Sequence, residues 1–408
     1  MTKFNDMKYT RPDFEETKAK MEELVSEMRQ AKDAETFLNA FWRMNKLRRH
    51  LYTMITLVNI RHSINTADEF YDAENNYWDE TGPQYSVIEN ELVKAVLEAP
   101  FREELLKEIP ETYFQLSECS IKAFDPRIVP LLIEENTSEY GKLKASAKIE
   151  FEGEVLNISE ITAKIDTPDR EVRRKAYEAK MAWFKEHSAE FDEIYDKLVK
   201  VRHQMAKELG YDNYIQLGYY RMNRLDYNAE MVAGYRKQIL DYVTPAATRL
   251  FEKQRKRIGY DKLAYYDLGF SFKSGNAKPH GTAEELVEYA VKMYHEMSPE
   301  TGKFIDVMNS NQLWDLVSRP NKEMGGYETE IYEYDVPFIF SNFNGTSGDV
   351  DVLTHEAGHA FQAYLSDQIE LIDVKCPTME SAEIDSMSME FFAYPWMELF
   401  FKEETDKY

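Results

Sequence analysis

The chain has little cysteine. Cys119 and Cys376 are the only two in 408 residues, which leaves no disulfide framework and fits a reducing compartment. No apolar run is long enough to cross a bilayer. The first residues, Met1 to Glu16, are polar and charged where a signal peptide needs an apolar core. The expected location is therefore the cytoplasm. Basic charge is also short: 50 Lys and Arg stand against 74 Asp and Glu, a formal net charge of −24. A surface of that sign repels phosphate backbones and anionic lipid, which argues against nucleic acid and membrane as partners. Internal repeats and low-complexity tracts are missing as well.

What is present is helical periodicity. Met21, Leu24, Val25 and Met28 make one apolar stripe, and Phe37, Phe41, Leu47, Leu51, Met54 and Val58 a longer one. Pro83, Pro100 and Pro110 are expected to punctuate further helices near 86–98, 101–108 and beyond. Alternation from Ala147 to Phe151, then Gly153, then Val155 to Ile158 predicts a β-hairpin. Thr167-Pro168 reads as the cap and first residue of a new helix. The domain boundary is placed there, giving an N-terminal helical region with a small hairpin (1–166) and a second helical domain (167–408). Long helices are expected at 168–188, 189–209 and 228–258, with a capping box at Thr282 and Glu285 and a further helix opened by Ser298-Pro299.

The texture changes at Gly325-Gly326-Tyr327. The following Ile331 to Phe340 reads as a turn and a strand, and Pro337, which cannot donate to a ladder, places that strand at a sheet edge. An edge strand can hold an extended peptide by main-chain hydrogen bonds. Gly325, Gly326 and Phe340 are the candidate contacts on it.

The most informative stretch is His355-Glu356-Ala357-Gly358-His359. Residues four apart on a helix share a face, and two imidazoles so placed can grip one Zn²⁺ with the glutamate beside the open position. The preceding Asn344 to Asp349 reads as a loop ending in an N-cap supplied by Thr346 or Ser347, with Asp349 and Asp351 in the first turn. Val350, Leu353, Ala357, Phe361 and Tyr364 form the packing stripe, about half a turn from the two histidines. Gly358 costs the helix roughly 1 kcal/mol against alanine, so something is expected to approach the backbone there. A third ligand must come from elsewhere: Gln362 and Leu365 stand where the metzincin pattern needs Gly and His. Thr378 to Pro395 reads as a second helix carrying Glu380, Glu383 and Glu390. Glu383 and Glu390 share a face about 10 Å apart, so one can bind metal while the other orients a histidine.

These residues carry a resemblance. Gly345 to Val350 leading into Thr354 to Phe361, followed by Glu383 to Glu390, is similar to the two zinc-site motifs of the thimet-oligopeptidase/oligoendopeptidase F family, in its bacterial Pz-peptidase-like branch. The resemblance runs along the whole chain. It implies a mainly α, multi-helical, two-lobed zinc-peptidase fold with a small β-sheet beside the zinc helix. It also implies one Zn²⁺ held by His355, His359 and Glu383, with Glu356 as the base that activates the attacking water. Substrates would be short peptides, cut at internal bonds. Family members continue past the second motif with a tyrosine and histidine cluster that contacts the scissile carbonyl, and no residue up to Tyr408 takes those roles. The alternative to an active endopeptidase is thus a chain that binds zinc and peptides without efficient turnover. Trp396, Leu399, Phe400 and Phe401 are expected to form an uncovered apolar patch. The other histidines, His50, His62, His187, His203, His280 and His295, read as structural, and Cys376 as a small apolar residue.

Overall fold

The structure is a computed structural model and describes residues 2–408. Several of its helices begin where side chains can satisfy the orphan amides of a first turn. Asp13, Asp33 and Asp68 each accept such an N–H, opening helices Phe14–Gln30, Ala34–Ile64 and Glu69–Leu97. The two predicted stripes meet here. Met21, Leu24, Val25 and Met28 pack with Phe37, Phe41 and Leu51, and with Trp78, Tyr85 and Ile88 of the third helix, in one buried core.

Pro83 does not punctuate that third helix, which runs through it. A proline inside a helix costs about 3 kcal/mol. Trp78, Tyr85, Ile88 and Leu92 are buried on both sides of it, each contributing roughly 1.5–3 kcal/mol, and their packing outweighs the break. Pro100 and Pro110 do separate elements, the latter preceding helix Glu111–Ala123.

The hairpin forms as expected. Strands β1 (Ile149–Phe151) and β2 (Glu154–Leu156) pair antiparallel about Glu152 and Gly153, both at positive φ. The next predicted start moves by two residues: helix Arg170–Glu186 is capped by Asp169, whose carboxylate accepts from the amides of Glu171 and Val172. The Thr167 carbonyl instead accepts from the buried Arg173. Ser188–Glu208 follows, and 229–258 is helical throughout, with one π turn at Ile239–Val243. Thr282 with Glu285 makes the capping box of Ala283–Met297, and Ser298 caps Pro299–Ser310.

The small sheet differs from expectation. Ile331 to Phe340 is not one strand but the end of β4 (Tyr327–Ile331), a turn with Asp335 at positive φ, and the start of β5 (Val336–Phe343). With β3 (Trp314–Val317) the order is β3-β5-β4, so Pro337 lies in the central strand. The reason is local. The Ile339 amide bonds to the Leu313 carbonyl on the β3 side, and alternate amides of a strand point the same way. Pro337 therefore also faces the β3 side, at a level before the first β3 pair, Trp314 with Ile339. Its missing N–H deprives no ladder bond. The edge strands are β3 and β4.

One core joins this sheet to Phe4, Met7, Met54 and Leu57 near the N-terminus, to Val350, Leu353 and Ala357, and to Met397, Phe400 and Phe401. Phe400 and Phe401 are fully buried, the first edge-on to Tyr289 and the second stacked on Tyr408 at 4.3 Å. Trp396 donates its indole N–H to Glu296. The expected uncovered patch is thus absent at 396–401. Exposed apolar side chains lie instead at Ile384, Met387, Phe391 and Phe392. Among the described residues no helix is long and apolar enough to cross a membrane.

Candidate metal centre

Two helices build the site. The first, Gly348–Leu365, carries the His-Glu-Ala-Gly-His run. Ser347 stands at its N-cap without a side-chain capping bond. Asp349 ties the loop down instead, accepting the amides of Asn344 at 2.9 Å and Gly345 at 2.8 Å. Burial pushes that carboxyl up to about 6. Val350, Leu353 and Ala357 are buried and Phe361 and Tyr364 pack behind them, which leaves His355 and His359 on the other flank, their rings edge-to-face at 5.1 Å.

The second helix, Met379–Ala393, crosses the first at Gly358. A Cβ at that glycine would stand 2.6 Å from the Ser386 Cα and 2.7 Å from the Asp385 carbonyl oxygen. Only a residue without a side chain lets the backbones come this close. The crossing delivers carboxylates to both imidazoles. Glu383 Oε2 lies 3.2 Å from His355 Nε2 and 3.8 Å from His359 Nε2. Glu390 Oε1 lies 2.6 Å from His355 Nδ1. Ser386, fully buried, donates its hydroxyl to Glu383 Oε2 at 2.9 Å. Glu380 is drawn away by Arg224 at 2.7 Å.

His355, His359 and Glu383 offer one ligand atom each, all within 4.8 Å of one another. Two imidazoles and a carboxylate suit zinc, and ligand bonds of about 2.0–2.2 Å in a tetrahedron put ligand atoms about 3.3–3.6 Å apart. The observed 3.2 and 3.8 Å bracket that range. Burial holds the His359 imidazole below its ordinary pKa, which favours the neutral form that ligates. A second acidic group, Glu330, Asp335 and Asp367, surrounds the buried ammonium of Lys375, so a fixed cation already fills it.

Glu356 is nearly buried on the same helix. Burial raises its pKa, Glu383 adds to the rise, and His355 opposes it. Gly326 closes over it: a Cβ there would stand 3.2 Å from Glu356 Oε1. The Gly325-Gly326 turn is thus brought to the Glu356 carboxylate. Phe340 is not brought there by its ring, which is 1% exposed and stacked on Tyr327 at 4.8 Å. His50, His62 and His295 pair with Glu333, Asp72 and Asp306. Cys376 is exposed, not a packed apolar residue.

Sequence reasoning missed Ser386 and Asp385. Helical spacing selects 383, 387, 390 and 394 as one face. Because the helices cross at Gly358, residues on both sides of that face reach the first helix. The unfavourable mid-helix glycine was the available signal.

Two family models match the chain. The Peptidase M3 N-terminal domain matches residues 4–124 and Peptidase family M3 matches residues 164–407. A structure described as a candidate oligoendopeptidase F superposes with a TM-score of 0.99 at 47% identity, over all of this chain and 73% of the other. Pz peptidase A with an inhibitor gives 0.98 at 48%, over 99% of this chain and 72% of the other. A candidate oligoendopeptidase F from Bacillus anthracis gives 0.98 at 46%, over 100% and 75%. Among curated proteins none matches. The chain belongs to peptidase family M3, whose members are zinc metallopeptidases, and is a mainly α metalloendopeptidase of that family.

Proposed function

We propose that this chain hydrolyses internal bonds of short peptides at a single zinc held by His355, His359 and Glu383, with Glu356 as general base. The observation that carries the reading is the set of three ligand atoms within 4.8 Å of one another, two of them on the helix that also presents Glu356 and the third on the helix that crosses it. When bound, zinc supplies Lewis acidity that polarises a carbonyl and acidifies water. Glu356 accepts a proton from the attacking water and delivers it to the nitrogen of the departing amine, so the carboxylate is regenerated in each cycle. Its raised pKa brings the acid form within reach for the second transfer. Glu390, on His355 Nδ1, holds that ring with Nε2 toward Glu383.

The unpaired edge of β4 supports peptide as the substrate class. It follows directly on Gly325-Gly326, and Gly326 lies against Glu356. A peptide added to that edge would bond through its main chain, with little demand on sequence.

The test is turnover of internally quenched peptides of about five to fifteen residues. The expected result is cleavage at an internal bond, lost on chelation and restored by zinc. Binding of the same peptides without cleavage by the zinc-loaded chain would contradict it.

A further inference from the structure

We propose that Asp385 is a positioning residue for His359. It accepts a hydrogen bond from Nδ1–H, so that Nε2 is left bare toward Glu383 and the metal position. The inference rests on the metal-centre reading above.

Both carboxylate oxygens of Asp385 are buried and have no hydrogen-bond partner among the described residues. A buried carboxylate left in that state is costly, so a donor is called for. The donor that faces it is His359 Nδ1, 3.7 Å from Asp385 Oδ1. About 1 Å of side-chain adjustment brings this to charge-assisted hydrogen-bond length. The arrangement repeats what the neighbouring histidine does. Glu390 meets His355 at Nδ1, and Glu383 lies toward Nε2 of both rings. At about 100° per residue, Glu383 and Asp385 stand on opposite flanks of their helix. They reach His359 from its two nitrogens because Ser386, between them, sits on the crossing.

The backbone fixes this placement. The Asp385 carbonyl would lie 2.7 Å from a Cβ at Gly358, so the residue is pinned against the histidine helix one position before His359. A carboxylate on the far nitrogen sets the tautomer and raises ligand basicity, and losing such a partner commonly costs 10–100-fold in metal affinity.

The experiment measures zinc dissociation constants by competition with a chromophoric chelator. It compares the unaltered chain with Asp385→Ala, Asp385→Asn, His359→Ala and Glu383→Ala. Visible spectra of the cobalt-loaded proteins and unfolding midpoints of the metal-free ones complete the set. Asp385→Ala is expected to bind zinc about 10–100-fold more weakly, with a shifted cobalt spectrum and an unchanged metal-free midpoint. Asp385→Asn, which keeps shape and one acceptor but no charge, is expected to fall between. Unaltered zinc affinity in Asp385→Ala, while His359→Ala and Glu383→Ala lose the metal, overturns the role of Asp385 alone. If His359→Ala and Glu383→Ala also keep the metal, the metal-centre reading fails and takes this inference with it. Should alanine lower the metal-free midpoint, the isosteric asparagine decides, and unaltered affinity there overturns the proposal.

Discussion

Alanine at position 358 sets two effects against each other. Helix propensity alone favours it by about 0.8–1.0 kcal/mol. The added Cβ, however, would meet the Ser386 Cα at 2.6 Å, the Asp385 carbonyl at 2.7 Å and the Met389 Cβ at 3.0 Å. Carbon atoms rest at about 3.5–4.0 Å, so the two helices must separate by about 1 Å, and two of the three obstacles are backbone. Overpacking of this kind costs about 1–3 kcal/mol. The net is set by the steric cost, and Gly358→Ala should be destabilised by up to about 2 kcal/mol. The site should suffer more than the fold. Glu383, Asp385, Ser386 and Glu390 all ride on the displaced helix, and a misplacement of about 1 Å can cost 10²-fold in rate. Thermal unfolding of the metal-free chain, zinc affinity and kcat/KM on a quenched peptide read the three consequences. Gly234→Ala is the control: it lies in helix Ala229–Gln238 with nothing within 4 Å of its would-be Cβ, and should gain about 0.8–1.0 kcal/mol. A Gly358→Ala chain that gains as much and keeps its zinc would refute the crossing as the device that assembles the site.

Glu356→Gln should keep zinc and fold while lowering kcat by about 10²–10⁴-fold, because an amide is a poor proton acceptor; near-normal turnover in the zinc-loaded variant would remove Glu356 as base. Glu328 gives a pH prediction. Burial, helped by Glu330, Glu356 and Asp385, pushes its carboxyl up to about 8, and its Oε1 is buried without a partner among the described residues. The folded pKa lies above the ordinary 4.5, so the folded chain holds a proton that the unfolded chain releases, and stability falls as pH rises from about 4.5 to about 8. Glu328→Gln has no proton to lose. Its unfolding midpoint should therefore pull ahead of the unaltered chain across that window and run parallel to it above; a gap independent of pH would contradict the burial of this charge.

Much of the site is written locally. The i, i+4 histidines, the shared face of Glu383 and Glu390, and the oddity of a glycine between the histidines need only helical geometry, and the structure brings these residues together. Caps such as Thr282 with Glu285 are equally local. The misses have tertiary causes. Pro83 is carried by an apolar face buried on both sides of it. Pro337 escapes because the neighbouring strand starts too late to need its amide. Phe400 and Phe401 find cover in Tyr289 and Tyr408, and the Phe340 ring turns to Tyr327. Asp385 joins the site only because two helices cross. The partners of Phe400, Pro337 and Asp385 lie far from them in sequence.

Zinc content tests the central claim most directly. Elemental analysis of the purified chain, with anomalous scattering at the zinc edge to place the ion, should give one zinc per chain between His355, His359 and Glu383. His359→Ala and Glu383→Ala should lose it while remaining folded. Stoichiometric zinc that survives both substitutions, or an ion ligated by Glu390 in place of Glu383, would contradict the account.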